Sequence, residues 1–233
     1  MLMLVDISFG KQVPSMGITD IFTSIFNQRF DEAERLLASE NNKIGVLYVD
    51  ILTIEKCWWK YISSNKREDL KQLSALLEKY RNQESHSEQD KIIRLIGYTY
   101  SLRFESMQKN YFRANVFWYK ARKLLKECNF STPAFSRDEI RLVDLYDALF
   151  SYFNSRFYGF LIQNEETPDS IIEKMESFCA DENIIVSSLS HYFLGKIYLE
   201  MEKEQAKAKT HFNILTEHFP NNNIFRSLQK SCS

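Results

Sequence analysis

Apolar residues recur along this chain at intervals of three and four, in runs divided by short polar breaks, the period of helices that bury one face. GITDIFTSIFNQ is followed at once by RFDEAERLLASE, with Phe22, Ile25, Phe26, Phe30, Ala33, Leu36 and Leu37 at helical spacing. Residues 44–63 carry a second apolar run that includes Trp58 and Trp59, and REDLKQLSALLEKYR completes that pair. A third pair covers 89–107 and 111–128. A fourth joins a helix from about 137 into the 150s with PDSIIEKMESFCA, and a fifth spans 184–202 and 204–218. A short last helix is expected around IFRSLQK. The breaks carry matching start signals. Asn65 with Glu68, Ser85 with Glu88, and Ser136 with Glu139 have capping-box spacing, and Thr167 precedes Pro168 as a cap precedes a first-turn proline.

Composition narrows the fold class. Six glycines and four prolines are too few turn formers for a many-stranded sandwich or barrel. Five consecutive helix pairs with short connections predict an all-α solenoid, each pair burying its apolar face against the next. With 44% hydrophobic residues, residues 13–233 are expected to form one helical-repeat domain. Residues 1–12 stand apart. MLMLV is a short apolar start, and Ser8-Phe9-Gly10 is a small-x-small triplet of the kind that precedes signal cleavage. The expected location is cytoplasmic for the chain as given, and periplasmic or secreted if residues 1–10 end a signal whose start lies upstream.

Charge and side-chain chemistry exclude more than they identify. Thirty basic residues balance 31 acidic ones, so no global field draws the chain to nucleic acid, and no nucleic-acid partner is expected. No apolar run is long enough for a membrane-spanning helix. Cys57, Cys128, Cys179 and Cys232 form no CxxC pair. The histidines, His86, His191, His211 and His218, contain no HExxH spacing, and the two on one helix, His211 and His218, have no evident third ligand. The glycines are isolated, without a phosphate loop or a GxSxG elbow. No catalytic residue, cofactor or metal is expected.

Gly195 in HYFLGKIYLE and Gly97 in LIGYTYSLRF interrupt otherwise amphipathic helices, where glycine costs about 1 kcal/mol relative to alanine. The last pair around the first of these resembles a tetratricopeptide repeat. Leu194, Gly195 and Tyr198 match the Leu-Gly-x-x-Tyr core of the family's first helix. Ala208 and Phe212 match the Ala-x-x-x-Phe of its second, and Pro220 its terminal proline. Ile96, Gly97 and Tyr100, followed by Ala114, Trp118 and Ala121, carry the same elements in the third pair, and Ala33 with Leu37 echoes them in the first. The repeats are irregular: Gly97 lies further from Ala114 than the family's spacing allows, and Trp58 falls where a small residue belongs. The resemblance implies a right-handed α-α superhelix of about five pairs, with an α-solenoid of another family as the alternative. In it the small residue serves close approach of the two helices.

The same resemblance implies that first helices line a concave groove. Lys91, Arg94, Tyr98 and Ser101 share one face of the third pair's first helix, and Tyr192 and Lys196 occupy the corresponding face in the fifth. The expected function is a non-catalytic scaffold that binds a protein or peptide, with an extended or helical acidic segment as ligand. The alternative is a sensory or regulatory domain acting with a separate effector protein.

Overall fold

The computed structural model describes residues 16–84, 87–128, 135–158 and 167–232. Among these, the architecture is all-α, with eleven α-helices and one π-helical turn and no strand. The elements are α1 (Met16–Phe26), α2 (Phe30–Glu40), α3 (Val46–Ser64), α4 (Arg67–Asn82), α5 (Glu88–Met107), α6 (Tyr111–Glu127), α7 (Arg137–Tyr158), α8 (Pro168–Ser177) and α9 (Ile184–Ile197). After the π turn (Tyr198–Glu202) come α10 (Gln205–His218) and α11 (Asn223–Lys230). Each expected pair is present and packs internally. Residues 1–12, Ser85 and His86 lie outside the described residues.

The caps confirm part of the expected punctuation and correct the rest. Ser136 and Glu139 exchange backbone-to-side-chain hydrogen bonds as a capping box, and Thr167 Oγ1 accepts from Ser170 N ahead of Pro168. Asn65 does not open α4. It closes α3 in the left-handed region at φ 51°, and Lys66 is the residue that precedes α4. An asparagine tolerates that conformation because its short polar side chain can bond locally. For α5 the box is Ser87 with Asp90, two residues later than the expected Ser85–Glu88 box.

The turns within pairs repeat a single geometry. Gln28, Lys109 and Lys203 each have φ near 60°. The following residues, Arg29 (φ −90°, ψ 63°), Asn110 (φ −90°, ψ 67°) and Glu204 (φ −93°, ψ 75°), adopt almost the same conformation before the second helix. Arg29 N donates to Ser24 O and Asn110 N to Glu105 O, the long bond that closes a Schellman-type helix end. Four residues after each cap stands a buried alanine: Ala33, Ala114 and Ala208, whose N–H groups bond the carbonyls of Arg29, Asn110 and Glu204 at 3.0 Å each. The turns of pairs one, three and five are therefore alike at the backbone level, although Glu204 N reaches back one residue further, to Tyr198 O, across the π turn.

The two interior glycines are not equivalent. A Cβ on Gly195 would lie 2.8 Å from the Phe212 ring of its own pair, whereas one on Gly97 would meet Tyr80 Cβ of the preceding helix α4 at 3.2 Å. Both permit close approach, but only Gly195 does so within its pair. That difference in partner accounts for the irregular distance from Gly97 to Ala114.

The first and last described helices, α1 and α11, meet. Phe26 of α1 has its ring centroid 5.0 Å from that of Phe219, 5.7 Å from Phe225 and 5.0 Å from Trp59. Trp59 in turn lies 5.3 Å from Tyr192 and 5.2 Å from Phe225. Asn222, fully buried, clamps the junction: its Nδ2 donates to Phe26 O at 2.7 Å, and its Oδ1 accepts from Ile224 N and Phe225 N to cap α11. A solenoid with only nearest-neighbour contacts has no such closure. Asn222→Ala removes both functions, and we expect a loss of about 1–3 kcal/mol measured by urea denaturation. An unchanged midpoint would mean that the clamp is dispensable.

Candidate functional site

The first helices of pairs three and four, α5 and α7, are joined at their N-terminal ends, where Gln89 Nε2 donates to Glu139 Oε1 at 3.2 Å. Toward their C-terminal ends they diverge around a cavity of about 730 Å³, a size that accommodates a small ligand or a few side chains. Trp58 of α3 and Leu102, Arg103, Ser106 and Met107 of α5 form one wall; Tyr111, Ala114, Asn115 and Trp118 of α6 form the next. Leu149 and Phe153 of α7, with Tyr192, Phe193, Lys196 and Ile197 of α9 and Glu200 and Met201 of the π turn, close the far side. The π turn, which directly continues α9, inserts one residue into the helical register.

Arg103 is a cation in the inner wall of this cavity. Its guanidinium carbon lies over four rings, 4.2 Å from the centroid of Trp58, 4.9 Å from Tyr100, 5.3 Å from Tyr192 and 5.5 Å from Phe193. The ring faces attract the charge and shield it from water. Among the described residues the guanidinium has neither a hydrogen-bond nor an ion-pair partner. Behind it, Glu55 is buried and accepts from the Tyr100 hydroxyl and from Trp59 Nε1. Burial pushes its carboxyl above the ordinary range, against the pull of Tyr100, the Arg103 charge and Trp59. Burial opposes the Arg103 charge, but Tyr192, Tyr100, Glu55 and Tyr146 favour it, so the fold stabilises the cation without a direct hydrogen bond. Trp58, 2% exposed, adds a buried indole N–H with no acceptor among the described residues.

Exposed apolar residues also lie on α6 and at the end of α5, of which Met107 and Tyr111 line the cavity. Met107, Tyr111, Phe112, Val116 and Tyr119 are exposed, Phe112 by 81% and Tyr111 by 64%. Phe112, Val116 and Tyr119 fall at positions i, i+4 and i+7 of α6, which makes one stripe of the helix. Large apolar side chains gathered on one exposed helix face mark an interaction surface more often than scattered ones do.

The six nominated groove residues separate into two groups. Tyr192 and Lys196 line the cavity, where Lys196 also pairs with Glu200. Lys91, Arg94, Tyr98 and Ser101 do not. Lys91 pairs with Glu88 on its own helix, and Arg94 donates to the Tyr98 hydroxyl at 3.1 Å. Tyr98 is buried and stacks on Phe117 of α6; Ser101 is fully buried, donating to Gly97 O and accepting from Arg81. This face of α5 packs between α4 and α6. The repeat-defining residues Leu194, Gly195, Tyr198, Ala208 and Phe212 are buried together in the fifth pair, as are Gly97, Tyr100, Ala114 and Ala121 in the third, with Trp118 partly buried. Pro220 is exposed in the turn before α11.

From sequence, Arg103 stands out only as an arginine beside aromatic clusters that could support base stacking, a reading the balanced net charge disfavours. Its only signal was the repeated neighbourhood of aromatic clusters and arginine. No family model, no curated protein and no solved structure matches this chain. No helix among the described residues is long and apolar enough to cross a membrane.

Proposed function

We propose that this chain is a non-catalytic helical-repeat scaffold of the tetratricopeptide kind, a right-handed α-α superhelix closed by contact between its first and last pairs. It binds a protein segment that inserts an apolar side chain between α5, α6, α7 and α9 and brings a carboxylate to Arg103. The repeat reading is supported by the shared turns at Gln28, Lys109 and Lys203, by the buried alanines that follow them, and by the glycine-to-ring contact of the fifth pair. The single observation that carries the binding reading is the guanidinium of Arg103, sheltered by rings, with Glu55 behind it, and without a direct hydrogen-bond or ion-pair partner among the described residues. A carboxylate seated there would form a charge-assisted bond in a site where water competes poorly, and the buried Trp58 N–H is a second donor in the same wall. The ring-lined interior would accept the apolar part of the segment, and the Phe112 stripe would extend the contact. This reading keeps the acidic ligand and the residues Tyr192 and Lys196 expected from sequence, and puts Arg103 in place of Lys91 and Arg94.

The test begins with affinity capture from the native host by the unmodified protein, compared with a Tyr111→Ser/Phe112→Ser variant and with Arg103→Gln. Both replaced rings of the double variant are exposed, so its thermal midpoint should stay within a degree or two, since exposed sites change stability by less than about 0.5 kcal/mol. Its recovery of the partner should fall at least about tenfold, the effect of about 1.4 kcal/mol lost at an interface anchor. Arg103→Gln should lose the preference for acidic segments. Equal recovery by all three proteins would reject this cavity as the binding site.

A further inference from the structure

On the opposite side of α9 from the Tyr192 wall, three side chains from three successive elements converge. Cys179 follows the C-terminal end of α8, His191 lies on α9 and His211 on α10. One ligand-type atom from each lies within 4.8 Å of the others, and the two imidazoles face each other with Nδ1 to Nδ1 at 2.9 Å. None of the three lines the cavity around Arg103, so this cluster is independent of the reading given above.

We propose that Cys179, His191 and His211 form a binding site for a borderline-soft divalent ion of the zinc class. One thiolate and two imidazoles are the donor set such an ion prefers over the oxygen ligands that magnesium and calcium take. Zinc bonds of about 2.3 Å to sulfur and 2.0–2.1 Å to nitrogen put neighbouring ligand atoms of a tetrahedron roughly 3.3–3.6 Å apart. The imidazoles need to open by a few tenths of an ångström and the remaining atoms to close by about 1 Å, shifts within reach of side-chain rotation. On binding, the Cys179 thiol proton leaves to solvent and the imidazole that donates in the His191–His211 hydrogen bond takes its other tautomer. Both Nδ1 lone pairs then face the ion. Three protein ligands leave a fourth position for water or an exogenous group.

The surroundings orient the ligands, as second-shell partners of metal sites do. Ser190 Oγ lies 3.5 Å from Cys179 Sγ and is itself anchored to Met175 O at 2.7 Å. Tyr198, at the start of the π turn, stacks on His211 with centroids 5.6 Å apart and an interplanar angle of 17°. Its hydroxyl donates to Glu176 Oε1 at 2.7 Å. Glu176 acts electrostatically on both Cys179 and His211. A divalent ion held by one thiolate beside this carboxylate would be close to charge balance.

Untagged protein is dialysed against Zn²⁺ alone and against Co²⁺ alone, and bound metal is counted by elemental analysis. The wild-type chain should retain about one ion, and its cobalt form should show thiolate-to-cobalt charge transfer together with the d–d intensity of a tetrahedral site. Cys179→Ala and His211→Ala should each weaken zinc by more than about 100-fold, since even outer-shell changes at metal sites cost about 10–100-fold. Cys179→Ala should abolish the charge-transfer band. His218→Ala, an exposed histidine two turns further along α10 and outside the cluster, should bind as the wild type does. Far-UV circular dichroism guards against misfolding in each variant, and His211→Gln serves in place of any alanine variant that fails it. Wild-type protein that retains no zinc, or that binds it no better than the Cys179 and His211 variants, would leave a neutral hydrogen-bonded histidine pair and overturn the site.

Discussion

Replacing Trp59 by alanine should lower stability by about 3–5 kcal/mol, the range for removing the largest buried side chains. Trp59 is 1% exposed, and its ring lies between Phe26 of the first pair, Tyr192 of the fifth and Phe225 of α11. Its truncation opens a cavity where three elements meet and none can collapse alone. The loss is compounded by Glu55, whose Oε2 accepts from Trp59 Nε1 at 3.0 Å and would be left with an unanswered buried lone pair. A domain of this size is stable by about 5–15 kcal/mol in total, so the variant should unfold at a much lower urea concentration. Trp59→Phe, which keeps a ring but removes the donor, should fall between the two. A loss below about 1 kcal/mol for alanine would show that the contact between the first and last pairs does not hold in solution.

Leucine at Gly195 should destabilise by about 1–3 kcal/mol even though it favours the helix by most of the kilocalorie that glycine costs. The reason is local. The first added atom would sit 2.8 Å from the Phe212 ring, which is fully buried and has no free space to rotate into. Gly97 provides the comparison. There an added Cβ would stand 3.2 Å from Tyr80 Cβ, a milder overlap, although Tyr80 is held by its hydroxyl bond to Asp50 at 2.5 Å. Alanine substitutions should therefore separate the sites, with Gly195→Ala the more costly in thermal and urea unfolding. Two neutral alanine variants would mean that neither glycine is a packing device and would remove one support of the repeat reading.

The period of the apolar residues by itself determined the number, order and approximate bounds of the helices, because burial of one face at 3.6 residues per turn writes itself into local sequence. The Ser136 box and the Thr167–Pro168 start were legible for the same reason: each is a hydrogen bond between residues three apart. Gly195 against Phe212 followed from a motif confined to one pair. Positions decided by residues far apart in the chain were not legible. Gly97 resembles Gly195 in its neighbours, yet it meets Tyr80, and only the left-handed turn at Lys109 sets the register that shows this. Lys91 and Arg94 occupy a polar face of α5, but Glu88 and Tyr98 already engage them. Arg103, on another face of the same helix, becomes a candidate anchor only when α3 and α9 bring Trp58 and Tyr192 over it. Cys179, His191 and His211 have no ligand spacing in sequence, since three helices in succession deliver them. Local hydrogen bonding and burial set the helices; the long-range packing of those helices created the closed ring of aromatics, the cavity and the sulfur-nitrogen cluster.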